Sequence, residues 1–413
     1  MSKLQLGVIF GSRSCEREVS IISALQMMNQ ADTEKYDVVP VYISQEGTWY
    51  TGPALRELSS YTPFNPEKKG IEAVNLDLTS GSGALLAYRP GKGLFSPAKL
   101  EVAARLDVCV IVMHGLHGED GTLQGLLEMA NLPYTSTGVA GSSIGMDKIM
   151  MKQFFKGADL PVLPGCWFLR SAFEKDAETV AQEVERELGY PVFVKPANLG
   201  SSIGVSRADD REGLLDSLSL AFEYDRRVLV EKGLDKPMEL NCSVLGWDDE
   251  VEASPIEMPL KPEDDTFLDF KDKYLQSSGG SKGMASLSRV LPAPIGDELT
   301  KEIQELSKRI FRMMDCKGVV RIDYMFDKAT EKVFITEINT IPGSLAFYLW
   351  EAAGLKYTKL IDRMVDYARR AHEEKNSRSY AYTSDILKSY AAGTKGAKGA
   401  KGGKLGKLGK LGR

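Results

Sequence analysis

One stretch leaves this chain little freedom of fold. Arg321-Ile322-Asp323-Tyr324-Met325-Phe326 and Val333-Phe334-Ile335-Thr336-Glu337-Ile338-Asn339 each alternate apolar and polar residues, and a polar link, Asp327 to Lys332, joins them. Period-two alternation around a short link predicts an antiparallel hairpin. Side chains two apart share a face, so Glu337 and Asn339 point the same way, as do Arg321 and Asp323. If the strands pair, Asp323, Glu337 and Asn339 converge with Arg321 beside them. Oxygen donors without His or Cys suit a hard cation. Mg²⁺ takes one or two carboxylates and completes its octahedron with water and phosphate oxygens. The arginine can neutralise a carboxylate, or a charge that develops during a reaction. The alternative is a solvent-facing edge hairpin whose charges do nothing. Asn339-Thr340-Ile341-Pro342-Gly343 weighs against it, because an abrupt turn just after the candidate ligands is where an active-site loop sits.

At 413 residues the chain exceeds a single usual core, and two or three domains are expected. A hydrophobic fraction of 43% and a charged fraction of 26% fit a globular protein. No run of about 18 apolar residues predicts a membrane span. Met1 to Gly11 turns strand-like at once, without the basic segment and cleavage site of a signal peptide. Cys15, Cys109, Cys166, Cys242 and Cys316 are dispersed and odd in number, and only three His occur. A disulfide framework and a Cys/His zinc site are therefore disfavoured, and the cytoplasm is expected. The net charge of −5 hides a split: Lys395 to Arg413 carries six Lys and one Arg without an acid, leaving −5 − 7 = −12 for the rest. That balance speaks against nucleic-acid binding by the folded part.

In chain order, Leu4 to Phe10 is a strand, Gly11-Ser12-Arg13-Ser14 a turn, and the residues from Cys15 a helix. Strand, Gly/Ser turn and helix open an α/β unit whose backbone N–H groups face a ligand. Glu18, in the first helical turn, can anchor an amino group or simply complement the helix dipole. Tyr36 to Tyr42 is the second strand, and 47–100 is an insertion with short strands. Leu106 to Met113 is a buried strand ending at His114, the end where α/β sheets bind ligands; a core histidine is the alternative. Met146-Asp147-Lys148 opens another helix. Lys195 ends a strand and precedes Asn198-Leu199-Gly200-Ser201-Ser202-Ile203-Gly204. Such a Gly/Ser flap can cover phosphates while the lysine meets them as a point charge, or it can be an ordinary hairpin turn. Arg227 to Leu234 is a strand at a domain boundary. Asp265 to Ser288, polar and Gly-rich, has the length of a lid. Helices follow over Asp297–Met314 and Ala352–Glu374. From Asn376 the Lys/Gly-rich text cannot bury a core and is expected to be disordered.

Together these blocks resemble the ATP-grasp superfamily, and within it the D-alanine–D-alanine ligases, from about Leu4 to Ala371. The specific pieces are Glu16-Arg17-Glu18-Val19-Ser20, His114-Gly115 with Gly118 to Gly125, Met146-Asp147-Lys148, Val194-Lys195-Pro196 with Gly200 to Gly204, Lys273-Tyr274, Arg321-Ile322-Asp323 and Glu337-Ile338-Asn339-Thr340. The implied fold is α/β (α+β ATP-grasp). A Rossmann-like N-terminal domain would span 1–136, with the insertion at about 47–100. The two ATP-grasp halves would span 137–232 and 233–375, and a disordered basic tail 376–413.

The resemblance implies ATP-dependent joining of two D-alanines through an acylphosphate, for peptidoglycan, with no nucleic acid and no membrane span, in a homodimer. It implies that Lys148, Lys195, Ser202, Glu231, Lys232, Leu234, Glu239, Phe267 and Lys273 hold ATP, and that Asp323, Glu337 and Asn339 hold two Mg²⁺ (or Mn²⁺) ions. Glu18 would take the first amino group, with His114 also at the substrate. Arg321 and the backbone at Gly343 would stabilise the tetrahedral oxyanion. Ser201 and Tyr274 would orient one another and Glu18 and close the lid, keeping water from the acylphosphate. Two departures stand out. Tyr348 and Leu349 fall where a Ser-Leu pair usually grips the second substrate's carboxylate, and Phe270-Lys271-Asp272 departs from the usual acidic-small text before Lys273-Tyr274. Tyr274 favours an amino acid as second substrate. D-Ala–D-Ser or another amino-acid pair is the alternative within the superfamily, and a non-catalytic nucleotide-binding protein the alternative of another class.

Overall fold

The computed structural model describes residues 2–89, 91, 97–260, 288–380, 382 and 384–394. Among the described residues, the compact unit Met1–His372 holds four sheets. The first has seven strands in the order β6-β5-β4-β3-β2-β1-β7. At its centre β1 (Leu4–Gly11) pairs in parallel with β2 (Tyr36–Ile43) and β7 (Val108–Ile111). Leu6, Val8, Ile9 and Phe10 of β1 are all buried, the continuous apolar run of a parallel strand covered on both faces. β3 (Trp49–Thr51), β4 (Glu72–Leu76), β5 (Ala84–Arg89) and β6 (Lys99–Arg105) continue the sheet antiparallel. The short strands expected over 47–100 thus extend this sheet. Helix α1 (Arg17–Gln30) follows β1 and buries Ile21, Ala24, Met27 and Met28 in the same core.

The second sheet, β10-β9-β11-β8, is antiparallel throughout. It consists of β8 (Gly165–Leu169), β9 (Val192–Pro196), β10 (Ser206–Ala208) and β11 (Arg227–Lys232). Helix α2 (Thr122–Met129) follows the first sheet; α3 (Val139–Met146) and α4 (Lys148–Gly157) lead to the second. After α5 (Arg170–Lys175), the helices α6 (Ala177–Glu187) and α7 (Arg211–Tyr224) bury Val180, Val184, Leu214 and Leu218 against Val192, Val194 and Val230.

The third sheet, β13-β12-β16-β17, carries the hairpin: β12 (Met238–Trp247), β13 (Glu250–Ala253), β16 (Gly318–Asp327) and β17 (Lys332–Asn339). Helix α8 (Asp297–Met313) buries Ile303, Ile310 and Phe311 against Leu240, Cys242 and Ile322 of this sheet. Each such side chain contributes roughly 1.5–3 kcal/mol of transfer free energy. β14 (Met258–Pro259) and β15 (Arg289–Val290) form a short fourth sheet.

The last predicted helix, Ala352–Glu374, begins only at Tyr357 as α10 (Tyr357–Ser377); a short helix not predicted, α9 (Phe347–Ala352), precedes it, and Gly354 at φ +85° ends α9 in the left-handed region. Within the stretch expected to be disordered, Ile386–Thr394 is helical, and 395–413 lies outside the described residues. So do the lid expected over Asp265 to Ser288, apart from Ser288, and with it Phe267, Lys273 and Tyr274. Among the described residues no helix is long and apolar enough to cross a membrane.

Candidate active site

The hairpin forms with Arg321 opposite Asn339 and Asp323 opposite Glu337. The register then slips: Tyr324 faces Ile335, so Thr336 is an extra residue in β17. Thr336 Oγ1 donates to the Asp323 carbonyl at 2.8 Å and anchors this bulge. All four polar side chains therefore share one face. Arg321 donates two parallel bonds of 2.7 Å to the Asp323 carboxylate, and Asn339 Nδ2 donates to Asp323 Oδ2 at 3.0 Å.

Helix α4 brings lysines to the opposite wall. Asp147 caps it, accepting from the N–H groups of Ile149 and Met150 at 3.1 and 3.0 Å. Lys148 and Lys152, one turn apart, share a face of α4. Lys148 Nζ donates to the Leu199 carbonyl at 2.5 Å and lies 3.7 Å from Glu337. Lys195, at the end of β9, pairs with Glu231 at 2.6 Å, and Lys152 pairs with the other oxygen of the same carboxylate. Burial alone would raise the Glu231 pKa, but the two lysines hold it down to about 2. The loop after β9 arches over these groups, with Ser201, Ser202 and Gly204 all at positive φ.

The third wall comes from the ends of β1 and β7. Glu16 is buried at the N-cap of α1, and Ser201 Oγ donates to its carboxylate from the β9–β10 loop. A Cβ at Gly115 would strike the Glu16 carboxylate, so glycine there lets the acid lie on the backbone. Glu119 is buried beside it and accepts from the N–H groups of Gly115 and Ile341 at 2.9 and 3.0 Å. Burial and the charge of Glu16 push its pKa up to about 8, against those two bonds.

His114 holds the other side of the Ile341 peptide. Its Nδ1 lies 2.9 Å from the Ile341 carbonyl and its Nε2 3.0 Å from Ser23 Oγ. A carbonyl only accepts, so Nδ1 carries the proton. Burial drives the pKa of His114 down to about 4, helped by Arg321. The ring is then neutral at pH 7 and Nε2 accepts from the Ser23 hydroxyl. Ser23 Oγ in turn accepts from the Ser344 N–H at 2.9 Å, and Ser344 Oγ donates to Gln26 Oε1 at 2.8 Å. These bonds grip an unusual turn: Ser344, Leu345 and Ala346 have φ of 51°, 55° and 49° in succession, without a glycine, and all are buried.

The fourth wall holds Glu257, buried behind β12. It accepts from Asn241 Nδ2 and from the Tyr348 hydroxyl, both at 3.1 Å, and pairs with Arg289 at 2.9 Å. The Arg289 guanidinium lies 3.9 Å from the centroid of the Tyr348 ring.

One cleft gathers much of the predicted set: His114, Lys148, Lys195, Ser201, Ser202, Glu239, Arg321, Asp323, Glu337, Asn339 and Gly343 line it. Glu18 does not. It is exposed on α1, and Glu16 occupies the cleft instead. The physical reason is helical phase. Glu16, Ser20 and Ser23 fall on one face at i, i+4 and i+7, and that face is buried, whereas Glu18 points outward. The small residues at 20 and 23 were the signal available in the sequence. Glu231, Lys232, Leu234, Tyr348 and Leu349 are also absent from the lining. Glu231 is turned to Lys152 and Lys195, Lys232 Nζ donates to the Tyr190 carbonyl at 2.9 Å, and Tyr348 and Leu349 are buried under the turn. Glu119, Asn241 and Glu257 line the cleft without having been singled out.

Two cationic side chains facing an oxygen-rich wall across a cleft can hold a polyphosphate. Among the described residues no three His, Cys, Asp or Glu gather as a metal cage. Two carboxylates and an amide oxygen on one strand face are, however, the sparse oxygen set with which Mg²⁺ is held when water and phosphate complete its shell. The donor set fits.

Sequence comparison finds the D-ala D-ala ligase N-terminus over residues 5–137 and the D-ala D-ala ligase C-terminus over 154–366. A D-alanine--D-alanine ligase of Bacillus velezensis is 39% identical over 371 residues, 89% of this chain and 98% of its own. That of Thermosipho africanus is 34% identical over 384 residues, 93% of this chain and 98% of its own. Among solved structures, the D-alanine-D-alanine ligase from Coxiella burnetii superposes with a TM-score of 0.74 at 26% identity, covering 96% of this chain and all of that one. The VanG D-Ala:D-Ser ligase from Enterococcus faecalis gives 0.73 at 27% identity over 89% of this chain.

Proposed function

The chain belongs to the D-alanine–D-alanine ligase family, and from that premise we propose that it joins two D-alanines into D-alanyl-D-alanine, a peptidoglycan precursor, with ATP as the driving substrate. The observation that carries this is the meeting of Lys148 and Lys195, the Asp323–Glu337–Asn339 face and Glu16 in one cleft. A carboxylate is a poor electrophile. Its oxygen attacks the γ-phosphorus of ATP, ADP leaves, and the resulting acylphosphate accepts the second amine at its carbonyl carbon. The amine loses a proton, and phosphate departs.

Lys148 and Lys195 meet the phosphates, with Ser201, Ser202 and the backbone of their loop folded over them. Glu16, in place of Glu18, takes the ammonium of the first D-alanine, and Ser201 fixes its carboxylate. Arg321 and the Gly343 N–H face the oxyanion that develops as the amine adds. His114 acts through the Ile341 peptide, holding that turn in place. Asp323, Glu337 and Asn339 would hold the divalent cation, two Mg²⁺ or Mn²⁺ in this proposal, which spreads the charge of the transferring phosphoryl group. Phe267, Lys273 and Tyr274 keep the lid roles that the resemblance gives them. The domain limits at 136, 232 and 375, a homodimer and a cytoplasmic site of action belong to the same proposal.

Phosphate release from ATP and Mg²⁺ tests it, first with D-Ala alone and then with D-Ser or D-lactate added, the products identified by mass. Release with D-Ala alone, yielding D-Ala-D-Ala, is expected. No release with any acceptor would reject the proposal. D-Ser as second substrate is the second reading, supported by the likeness to the D-Ala:D-Ser ligase; the Tyr348 hydroxyl, which donates to Glu257 at 3.1 Å, leaves the second-substrate pocket unlike the usual Ser-Leu grip. A mixed D-Ala-D-Ser product in competition would establish it.

A further inference from the structure

A buried lysine needs a reason, because taking an ammonium out of water costs several kcal/mol unless a partner offsets it. Lys152 is 6% exposed, and its ion-pair partner, Glu231, is 1% exposed and is also the partner of Lys195. Two lysines thus share one carboxylate, each on its own oxygen. If Glu231 served only to neutralise Lys195, a second buried cation would be a cost without a return. The lining of the cleft separates the two: Lys195 belongs to it, whereas Lys152 and Glu231 do not. Lys148, on the same face of α4, is engaged with the Leu199 carbonyl and Glu337. The local sum over Lys152, Lys195 and Glu231 is therefore one positive charge, and Lys195 is the member that presents it to the cleft.

We infer that Lys152 is a positioning residue for nucleotide binding: it holds the Glu231 carboxylate so that Lys195 keeps its positive charge available to the phosphates. Without Lys152 the local sum falls to zero, and Glu231 becomes an undivided counterion competing with phosphate for Lys195. This rests on the proposal that ATP phosphates meet Lys195.

The test is equilibrium binding of ATP with Mg²⁺, by titration calorimetry without D-Ala, alongside the melting temperature. Wild-type protein that binds no ATP would reject the proposed function itself. Given wild-type binding, Lys152→Met should weaken it about tenfold or more, the scale expected from removing a unit charge near the phosphates. Lys152→Met/Glu231→Gln deletes both charges, restores the local sum of one, and should return Kd to within about threefold of wild type. Unchanged affinity in Lys152→Met would overturn the inference. So would weakened affinity that the double variant fails to restore, or affinity that merely follows the melting temperature across the three proteins, since neutralising Glu231 can also rescue a fold that losing Lys152 destabilises. Should Lys152→Met not fold, Glu231→Gln alone decides: it raises the local sum and should tighten ATP binding, and weaker binding overturns the inference.

Discussion

Replacing Ser23 by alanine removes one oxygen that does two jobs. Its hydroxyl donates to His114 Nε2 across 3.0 Å and its lone pair receives the Ser344 N–H across 2.9 Å. Ser23 is 1% exposed, so water has little access to replace it. Leaving a buried donor or acceptor unpaired costs about 1–3 kcal/mol, hence roughly 2–6 kcal/mol for the two groups. The turn they restrain has three successive left-handed residues at about 1–2 kcal/mol each, a strain of about 3–6 kcal/mol. The two quantities match in size, so the turn should relax once Ser23 is gone and carry the Gly343 N–H out of line. If about 1.4–2.8 kcal/mol of that loss appears in the transition state, kcat falls about ten- to a hundredfold. Steady-state dipeptide formation at saturating ATP and D-Ala, with urea denaturation in parallel, measures both. A stability loss with kcat within twofold of wild type would refute the reasoning, because the bonds would then support the fold without aligning the site.

Glu337→Gln and Arg321→Ala should each abolish dipeptide formation with the circular dichroism spectrum unchanged; normal turnover in either would remove that residue from the site. Glu119 binds its proton more tightly folded than unfolded, its pKa lying at about 8. Its contribution is full below the ordinary carboxylate range and is lost as pH rises through about 8. The ligand-free protein should therefore lose stability across that window, and Glu119→Gln should flatten the urea-midpoint profile; equal slopes for the two proteins would count against the shift. Tyr348→Phe keeps the ring under Arg289 but returns one acceptor site on Glu257. The D-Ser to D-Ala product ratio should change while the KM for ATP stays within about twofold, and an unchanged ratio would separate Tyr348 from acceptor choice.

The β-hairpin, the parallel start of the first sheet and helix α8 were legible in the sequence because each rests on local periodicity. The hairpin forms and gathers Asp323, Glu337 and Asn339 on one face as alternation predicted, while the register and the slip at Thr336 were not foreseen. Glu16 was missed because the motif holds two glutamates two residues apart, and only the phase of a helix not yet placed decides which faces inward. Glu119 and Glu257 were missed for another reason. Their role comes from partners more than ninety residues away, Ile341 and Tyr348, which no local pattern reveals. The helix expected from Ala352 starts at Tyr357 because Gly354, in the left-handed region, interrupts the text just before it.

The extra residue at Thr336 gives the hairpin a memory of length. On the Asp327 side of the bulge the strands are in phase with the hydrophobic core, where Tyr324 and Ile335 are buried. On the Arg321 side they are in phase with the cleft. One residue of offset lets both phases coexist in one pair of strands. With Thr336 in place, pairing without the slip would force a choice: keep the core and turn Glu337 and Asn339 to the wrong face, or keep the cleft and expose Ile335. A grafted version of the site that keeps Thr336 must carry the slip along with the ligands.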